Sequence, residues 1–156
     1  MFKKMFKNKI EVFAPLCGEL SSLANVNDPV FSQKMMGEGV AIKPTSNTIL
    51  SPFDGTVIQL FDTNHAIGLS DYKGNEILIH IGLDTVNLKG KGFTAQVKKD
   101  DKVKKGQPLI ILDLDYLNET KKDLITPVVN TNNKKIRITN KQLVTAGETI
   151  LMTIEK

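Results

Sequence analysis

Apolar residues fall along this chain in short runs broken by glycine, proline, asparagine and aspartate, with no sustained helical interval. Turn pairs stand at Asp54-Gly55, Lys73-Gly74, Lys105-Gly106 and Ala146-Gly147. This punctuation between β-branched runs predicts strands joined by tight turns, and so an all-β protein. The most telling run, Gly74-Asn75-Glu76-Ile77-Leu78-Ile79-His80-Ile81-Gly82-Leu83-Asp84-Thr85-Val86, carries one imidazole in the middle of aliphatic residues. Side chains alternate along a strand, so Ile77, Ile79 and Ile81 share one face and Leu78 and His80 the other. With the isoleucines toward the core, His80 is presented outward beside an exposed leucine. Asp71-Tyr72-Lys73-Gly74 reads as the hairpin turn before this strand.

Two internal echoes sharpen the expectation. Ala14-Pro15-x-x-Gly18-Glu19-Leu20-x-x-Leu23 parallels Ser51-Pro52-x-x-Gly55-Thr56-Val57-x-x-Leu60. Val103-Lys104-Lys105-Gly106-Gln107-Pro108-Leu109-Ile110 parallels Val144-Thr145-Ala146-Gly147-Glu148-Thr149-Ile150-Leu151. Each repeats a turn feeding a strand, which predicts two related β-motifs closed into a sandwich. Two segments depart from the β pattern. Leu112–Leu124 is mixed in charge with Leu114, Leu117 and Leu124 at roughly helical spacing, a short surface helix with no chemistry assigned. Residues 1–9 place Met1, Phe2, Met5 and Phe6 among four lysines; this reads as a flexible basic segment or a weak membrane foot.

Size and charge narrow the class. The 156 residues make one domain with a real core, taken as residues 10–156. No apolar run approaches the ~20 residues of a membrane span, and there is no secretion signal, so a cytoplasmic protein is expected. The single cysteine, Cys17, forms no internal disulfide and reads as a half-buried structural thiol. The net charge of +4 is spread over scattered lysines with Arg137 the only arginine and no tryptophan, which argues against nucleic-acid binding.

Only His65 and His80 offer imidazole chemistry. A neutral imidazole is a competent nucleophile near pH 7. Gly82 leaves room beside the His80 ring for a macromolecular partner, or for a backbone carbonyl to bond Nδ1–H. Taken alone, these residues also suit a histidine at a strand end with no role.

The wider pattern weighs against that plain reading. Gly74-x-x-Ile77-Leu78-Ile79-His80-Ile81-Gly82-Leu83-x-Thr85-Val86 resembles the phosphohistidine signature of the glucose-family IIA proteins of the bacterial sugar phosphotransferase system. Phe61-Asp62-Thr63-Asn64-His65-Ala66 is similar to that family's second histidine segment. Further similarity runs from Ala14-Pro15 through Ala41-Ile42-Lys43-Pro44 and Leu88-Lys89-Gly90-x-Gly92-Phe93 to Thr126-Pro127-Val128-Val129 and Gly147-Glu148-Thr149. The resemblance implies an antiparallel β-sandwich with a few short helical turns.

It also implies a phosphotransferase component. His80 Nε2 would accept a phosphoryl group from the histidine phosphocarrier protein and pass it to a cysteine on the IIB domain of a glucose-type membrane permease. His65 would donate a hydrogen bond to the phosphoryl oxygens. Thr63, on the same face of an extended segment, would fix the tautomer of His65, and the Gly82 carbonyl that of His80. Asp28, Val30, Phe31, Phe61, Leu78, Asp84 and Val86 would form or rim a shallow apolar docking surface for successive partners, regulated permeases or kinases among them. Asp84, of the same strand parity as His80, would match basic residues on those partners.

No cofactor is required on this reading. A zinc ion shared by His65 and His80 with a partner's carboxylate is left open. A catalytic zinc site of the lysostaphin endopeptidase type needs a His-x-His pair, and the position two beyond His80 is Gly82. No lysine has the hairpin setting of a biotinyl or lipoyl carrier, and no Gly-x-x-x-x-Gly-Lys-Ser/Thr segment marks an ATP site. A monomer meeting the inner membrane face only transiently is expected.

Overall fold

A computed structural model describes residues 9–155. Its strands in chain order are β1 (Lys9–Phe13), β2 (Gly18–Ser22), β3 (Glu38–Pro44), β4 (Thr48–Leu50), β5 (Gly55–Leu60), β6 (Ala66–Asp71) and β7 (Glu76–His80), then β8 (Phe93–Ala95), β9 (Lys102–Val103), β10 (Pro108–Leu112), β11 (Thr126–Asn130), β12 (Lys135–Ile138), β13 (Leu143–Val144) and β14 (Ile150–Glu155). They form an eight-stranded sheet in the order β13-β2-β3-β11-β7-β6-β5-β9 and two three-stranded sheets, β1-β14-β12 and β4-β10-β8. Every pairing is antiparallel. The basic segment expected over residues 1–9 lies outside the described residues except for Lys9, which stands opposite Glu155 in β1.

The two echoes occupy equivalent places. β2 and β5 follow the Ala14-Pro15 and Ser51-Pro52 turns, and each pairs with the strand that opens the second echo. Gly18 stands opposite Val144 at one edge of the large sheet, and Gly55 opposite Val103 at the other. Gly147 N–H donates to the Ala14 carbonyl, and Gly106 N–H to that of Ser51, both at 2.9 Å. The repeat thus builds the two ends of one sheet.

All three sheets feed one core. Val12 and Leu151 come from one small sheet, Ile49, Leu109 and Ile110 from the other, and Ile42, Val57, Ile67, Ile79 and Val128 from the large one. Strand alternation puts the other faces of β3, β6, β7 and β11 outside this core. There Ala41, Ala66, Leu78 and Val129 meet Leu23, Val26, Phe31 and Leu83 in a second apolar cluster. The second cluster corrects one expectation: Leu78 does lie on the face of His80, yet it is only 6% exposed. The segment between β2 and β3 folds back over the sheet and covers it, through a 3-10 turn at Leu23–Asn25 and a short helix at Pro29–Ser32. Burying such a leucine stabilises by ~1.5–3 kcal/mol, a term that strand periodicity does not reveal.

The expected helix is shorter than Leu112–Leu124. It spans Leu114–Glu119, with the Asp113 carboxylate accepting from Tyr116 N–H at 3.1 Å as its N-cap. It is anchored rather than superficial, because Leu117 is fully buried. The β6–β7 hairpin forms as anticipated, its turn closed by Asp71 Oδ1, which accepts from Lys73 N–H (2.8 Å) and Asn75 N–H (2.9 Å). Cys17 is half-buried, and its Sγ accepts from Ala146 N–H at 3.3 Å.

Candidate functional site

The hairpin register brings the two histidines together. Ala66 stands opposite His80 across β6 and β7, and the His65 carbonyl accepts Ile81 N–H at 2.7 Å. The imidazoles consequently meet edge to face, centroids 5.1 Å apart and planes at 83°. Each has an aromatic neighbour: Phe31 at 5.0 Å from His80, Phe61 at 5.3 Å from His65. His65 is 4% exposed and His80 half-buried, so of the two residues the later one is the more exposed.

The Nδ1 atom of each ring has a partner. His80 Nδ1 lies 2.8 Å from the Gly82 carbonyl. A carbonyl only accepts, so Nδ1 carries the proton and Nε2 keeps its lone pair. Of the two uses considered for the space at Gly82, the carbonyl bond is the one realised. Gly82 has a φ of +75°, and a Cβ there would stand 2.7 Å from Thr85 Cγ2 and 3.0 Å from the Asp123 carbonyl oxygen. Its missing side chain makes room for the protein itself, not for a visitor.

His65 Nδ1 lies 2.5 Å from Thr63 Oγ1. The pairing is the expected one, but the backbone is not extended. Residues 61–65 form the turn between β5 and β6, with Asn64 at φ +56° and its N–H donating to the Phe61 carbonyl at 2.7 Å. The turn, rather than strand alternation, brings Thr63 and His65 together.

Electrostatics keep both rings neutral at pH 7. Burial lowers the His65 pKa from 6.5 to about 4, and the neighbouring His80 adds to the fall. Burial also lowers His80 below 6.5, opposed by its bond to the Gly82 carbonyl and by the Asp28 carboxylate. Asp28 N-caps the helix that carries Phe31, accepting from Val30 N–H at 3.0 Å. The acid that acts on His80 is therefore Asp28. Asp84 sits exposed in the turn after β7 with φ +58°, and strand parity does not extend to it because β7 ends at His80.

The residues expected to dock partners divide into two sets. Val30 (37% exposed), Val86 (49%), Asp84 and the half-buried Phe61 and Asp28 offer surface. Phe31 (4%) and Leu78 (6%) lie in the second apolar cluster and offer little surface of their own. A cleft of about 350 Å³ lined by Leu20, Val40, Ile138 and Lys141 includes neither histidine in its lining. Among the described residues no group of three or more His, Cys, Asp or Glu is gathered to hold a metal.

Two features of this site escaped the reading of the sequence. Thr85 is fully buried, and its hydroxyl donates to the Ile81 carbonyl at 2.6 Å. Leu83 N–H donates to the Asp123 carbonyl at 2.8 Å. A hydroxyl among Gly82, Leu83 and Val86 was the available signal for the first; the second joins distant segments and leaves none.

Comparison with known proteins decides the family. The model of the phosphoenolpyruvate-dependent sugar phosphotransferase system, EIIA 1, matches residues 10–136. The chain belongs to this EIIA family. A PTS system glucose-specific EIIA component of Oceanobacillus iheyensis is 48% identical over 166 residues, covering 99% of both chains. That of Staphylococcus epidermidis is 45% identical over 163 residues, covering 99% of this chain and 98% of its own. The solved glucose permease IIA from Mycoplasma capricolum superposes with a TM-score of 0.88 at 36% identity, over 95% of this chain and 97% of that one. Membership makes this EIIA component part of a phosphotransferase system for sugar, and the antiparallel sandwich is that of its solved relative. No helix among the described residues is long and apolar enough to cross a membrane.

Proposed function

We propose that this EIIA component relays phosphate through His80. Its Nε2 lone pair attacks the phosphorus carried by a histidine of the phosphocarrier protein. The new N–P bond forms as the donor's N–P bond breaks, and the electron pair of that bond returns to the donor nitrogen. Attack makes the imidazole more positive, which strengthens the Nδ1–H bond to the Gly82 carbonyl. In the second transfer a cysteine thiolate of a IIB domain takes the phosphoryl group, and His80 leaves as neutral imidazole.

Transfer of this kind is loose and in-line, so the protein contributes position and donors rather than covalent help. His65 is suited to be such a donor. Buried and neutral, it carries a single ring proton, which lies on Nε2 when the Thr63 hydroxyl donates to Nδ1. A hydrogen bond made only as charge develops is worth ~3 kcal/mol. The observation that carries the reading is the tie of His80 Nδ1 to a carbonyl, which leaves Nε2 free on the more exposed of the two histidines. Val30, Phe61, Asp84, Val86 and Asp28 supply a shallow docking surface suited to successive partners. The glucose-specific names of the relatives favour a glucose-type permease as the recipient.

Incubation with the phosphorylated histidine phosphocarrier protein tests this. Wild type should gain an acid-labile, base-stable phosphate and His80→Gln none. His65→Gln should accept phosphate yet pass it to a purified IIB domain ~100-fold more slowly. Equal loss of acceptance in both variants would contradict the division of roles. For a zinc ion His80 Nε2 offers its lone pair, whereas His65 must first move its proton from Nε2 to Nδ1 by turning the Thr63 hydroxyl; a partner must supply the remaining ligands, because among the described residues no group of three or more His, Cys, Asp or Glu is gathered. Titration with zinc in the presence and absence of the partner measures it.

A further inference from the structure

We propose that Thr85 is a positioning residue of the relay: its buried hydroxyl, by anchoring the Ile81–Gly82 turn, keeps the Gly82 carbonyl on His80 Nδ1. This rests on His80 Nε2 being the phosphoryl acceptor. It assigns the control of that nitrogen to a side chain which touches neither the ring nor the phosphate.

The geometry is a clamp on three successive peptides, with Thr85 holding the middle one and Asp123 the one that carries the Gly82 carbonyl. Ile81 lies between His80 and Gly82 in the chain, and its carbonyl is held by Thr85 Oγ1 at 2.6 Å. Thr85 Cγ2 fills the space a Gly82 side chain would occupy, 2.7 Å from the point where its Cβ would stand. The Asp123 carbonyl closes the opposite side, 3.0 Å from that point, and takes Leu83 N–H at 2.8 Å. Thr85 is fully buried, so its hydroxyl has no water to turn to, and Ile81 N–H is already fixed to the His65 carbonyl at 2.7 Å. Gly82, the one residue here with φ in the left-handed region and no side chain, is the joint that would move if the clamp opened.

The consequence falls on the ring. A neutral imidazole free in water favours the proton on Nε2, the tautomer without a lone pair at the acceptor position. An acceptor at Nδ1 reverses that preference, and it does so only while it stays in line and near 2.8 Å. Releasing the Gly82 carbonyl therefore moves the proton to Nε2 and the lone pair to Nδ1. The nucleophile changes place while His80 itself remains. A hydroxyl that served the fold alone would cost stability when removed and leave the tautomer untouched.

The test uses the full chain with 15N-labelled histidine at pH 8, where both rings are neutral. Wild type and Thr85→Ser should show His80 protonated on Nδ1. Thr85→Val, which keeps the shape and removes the hydroxyl, should shift it toward Nε2–H. The same variant should accept phosphate at least tenfold more slowly from the phosphocarrier protein, with unchanged affinity for that protein, and with part of its phosphate on Nδ1. If Thr85→Val does not fold, Thr85→Cys, a weaker donor, replaces it with the same expected direction. A folded hydroxyl-less variant with the wild-type tautomer overturns the role, as does Thr85→Ser behaving like Thr85→Val. Absence of phosphate on wild-type His80 overturns the relay itself and with it this role in transfer. Phosphate on the wild type with no tautomer change in the variant overturns Thr85 alone.

Discussion

Acid should destabilise this protein through His65, and the size of the effect follows from the site. In the unfolded chain its imidazole takes a proton below 6.5; in the folded chain it does so only below about 4. Between those values the unfolded state binds the extra proton, so stability contributed by neutral His65 is complete above pH 6.5 and lost as pH falls toward 4. A fall from 6.5 to about 4, at roughly 1.4 kcal/mol per pH unit, amounts to ~3 kcal/mol. For a domain whose total stability is ~5–15 kcal/mol, that is a large share. His80, lowered in the same direction, adds to it. The perturbation is His65→Gln, which cannot titrate and leaves the backbone carbonyl that binds Ile81 in place. Urea unfolding of wild type and variant at half-unit steps from pH 7.5 to 4 is the assay. The variant starts from some fixed offset, because the Thr63 and Phe61 contacts change, and that offset does not vary with pH. The wild type should lose ~3 kcal/mol more than the variant between pH 6.5 and 4, with only a few tenths of a kcal/mol more below. Parallel curves through that window would mean that burial does not hold the ring neutral.

The rate of phosphate acceptance should be flat from pH 8 to 7 and fall on acidification, with a midpoint below 6.5, since protonated His80 has no lone pair. Asp28→Asn, which still caps the helix, should move that midpoint lower by removing the carboxylate that raises His80; an upward movement would assign the charge wrongly. Gly82→Ala should cost ~1–3 kcal/mol in urea unfolding, from its φ of +75° and the contacts at 2.7 and 3.0 Å, and an unchanged midpoint would show the turn to be loose. Phe31→Ala should cost ~3–5 kcal/mol in the same assay, as truncation of a buried aromatic does. Val30→Ala on the same helix should leave stability within about 0.5 kcal/mol and weaken binding of the phosphocarrier protein, measured by calorimetry; the reverse pattern would exchange support for surface.

Strand alternation alone placed Ile77 and Ile79 toward the core and Leu78 with His80 on the opposite face, because the two-residue period is a property of the backbone. The echoes were equally readable. A repeated turn-and-strand pattern implies a repeated pairing, and Gly18 opposite Val144 matches Gly55 opposite Val103. The hydrogen bonds between Thr63 and His65 and from His80 Nδ1–H to the Gly82 carbonyl were within reach, since each joins residues two apart. What went astray depended on segments far along the chain. Leu78 is buried because residues 23–32 fold across the sheet and pack on it in the second apolar cluster.

The order of residues thus determined the strands, their faces, the repeat and the identity of the two imidazoles, all matters settled within a few positions. Packing in three dimensions alone buried His65 and left it neutral, kept His80 the more exposed of the two residues with its Nε2 unprotonated, and brought the Asp28 carboxylate to bear on it. Those outcomes depend on which distant chain segment excludes water or supplies a carbonyl, and desolvation is a property of a packed surface that no local pattern carries.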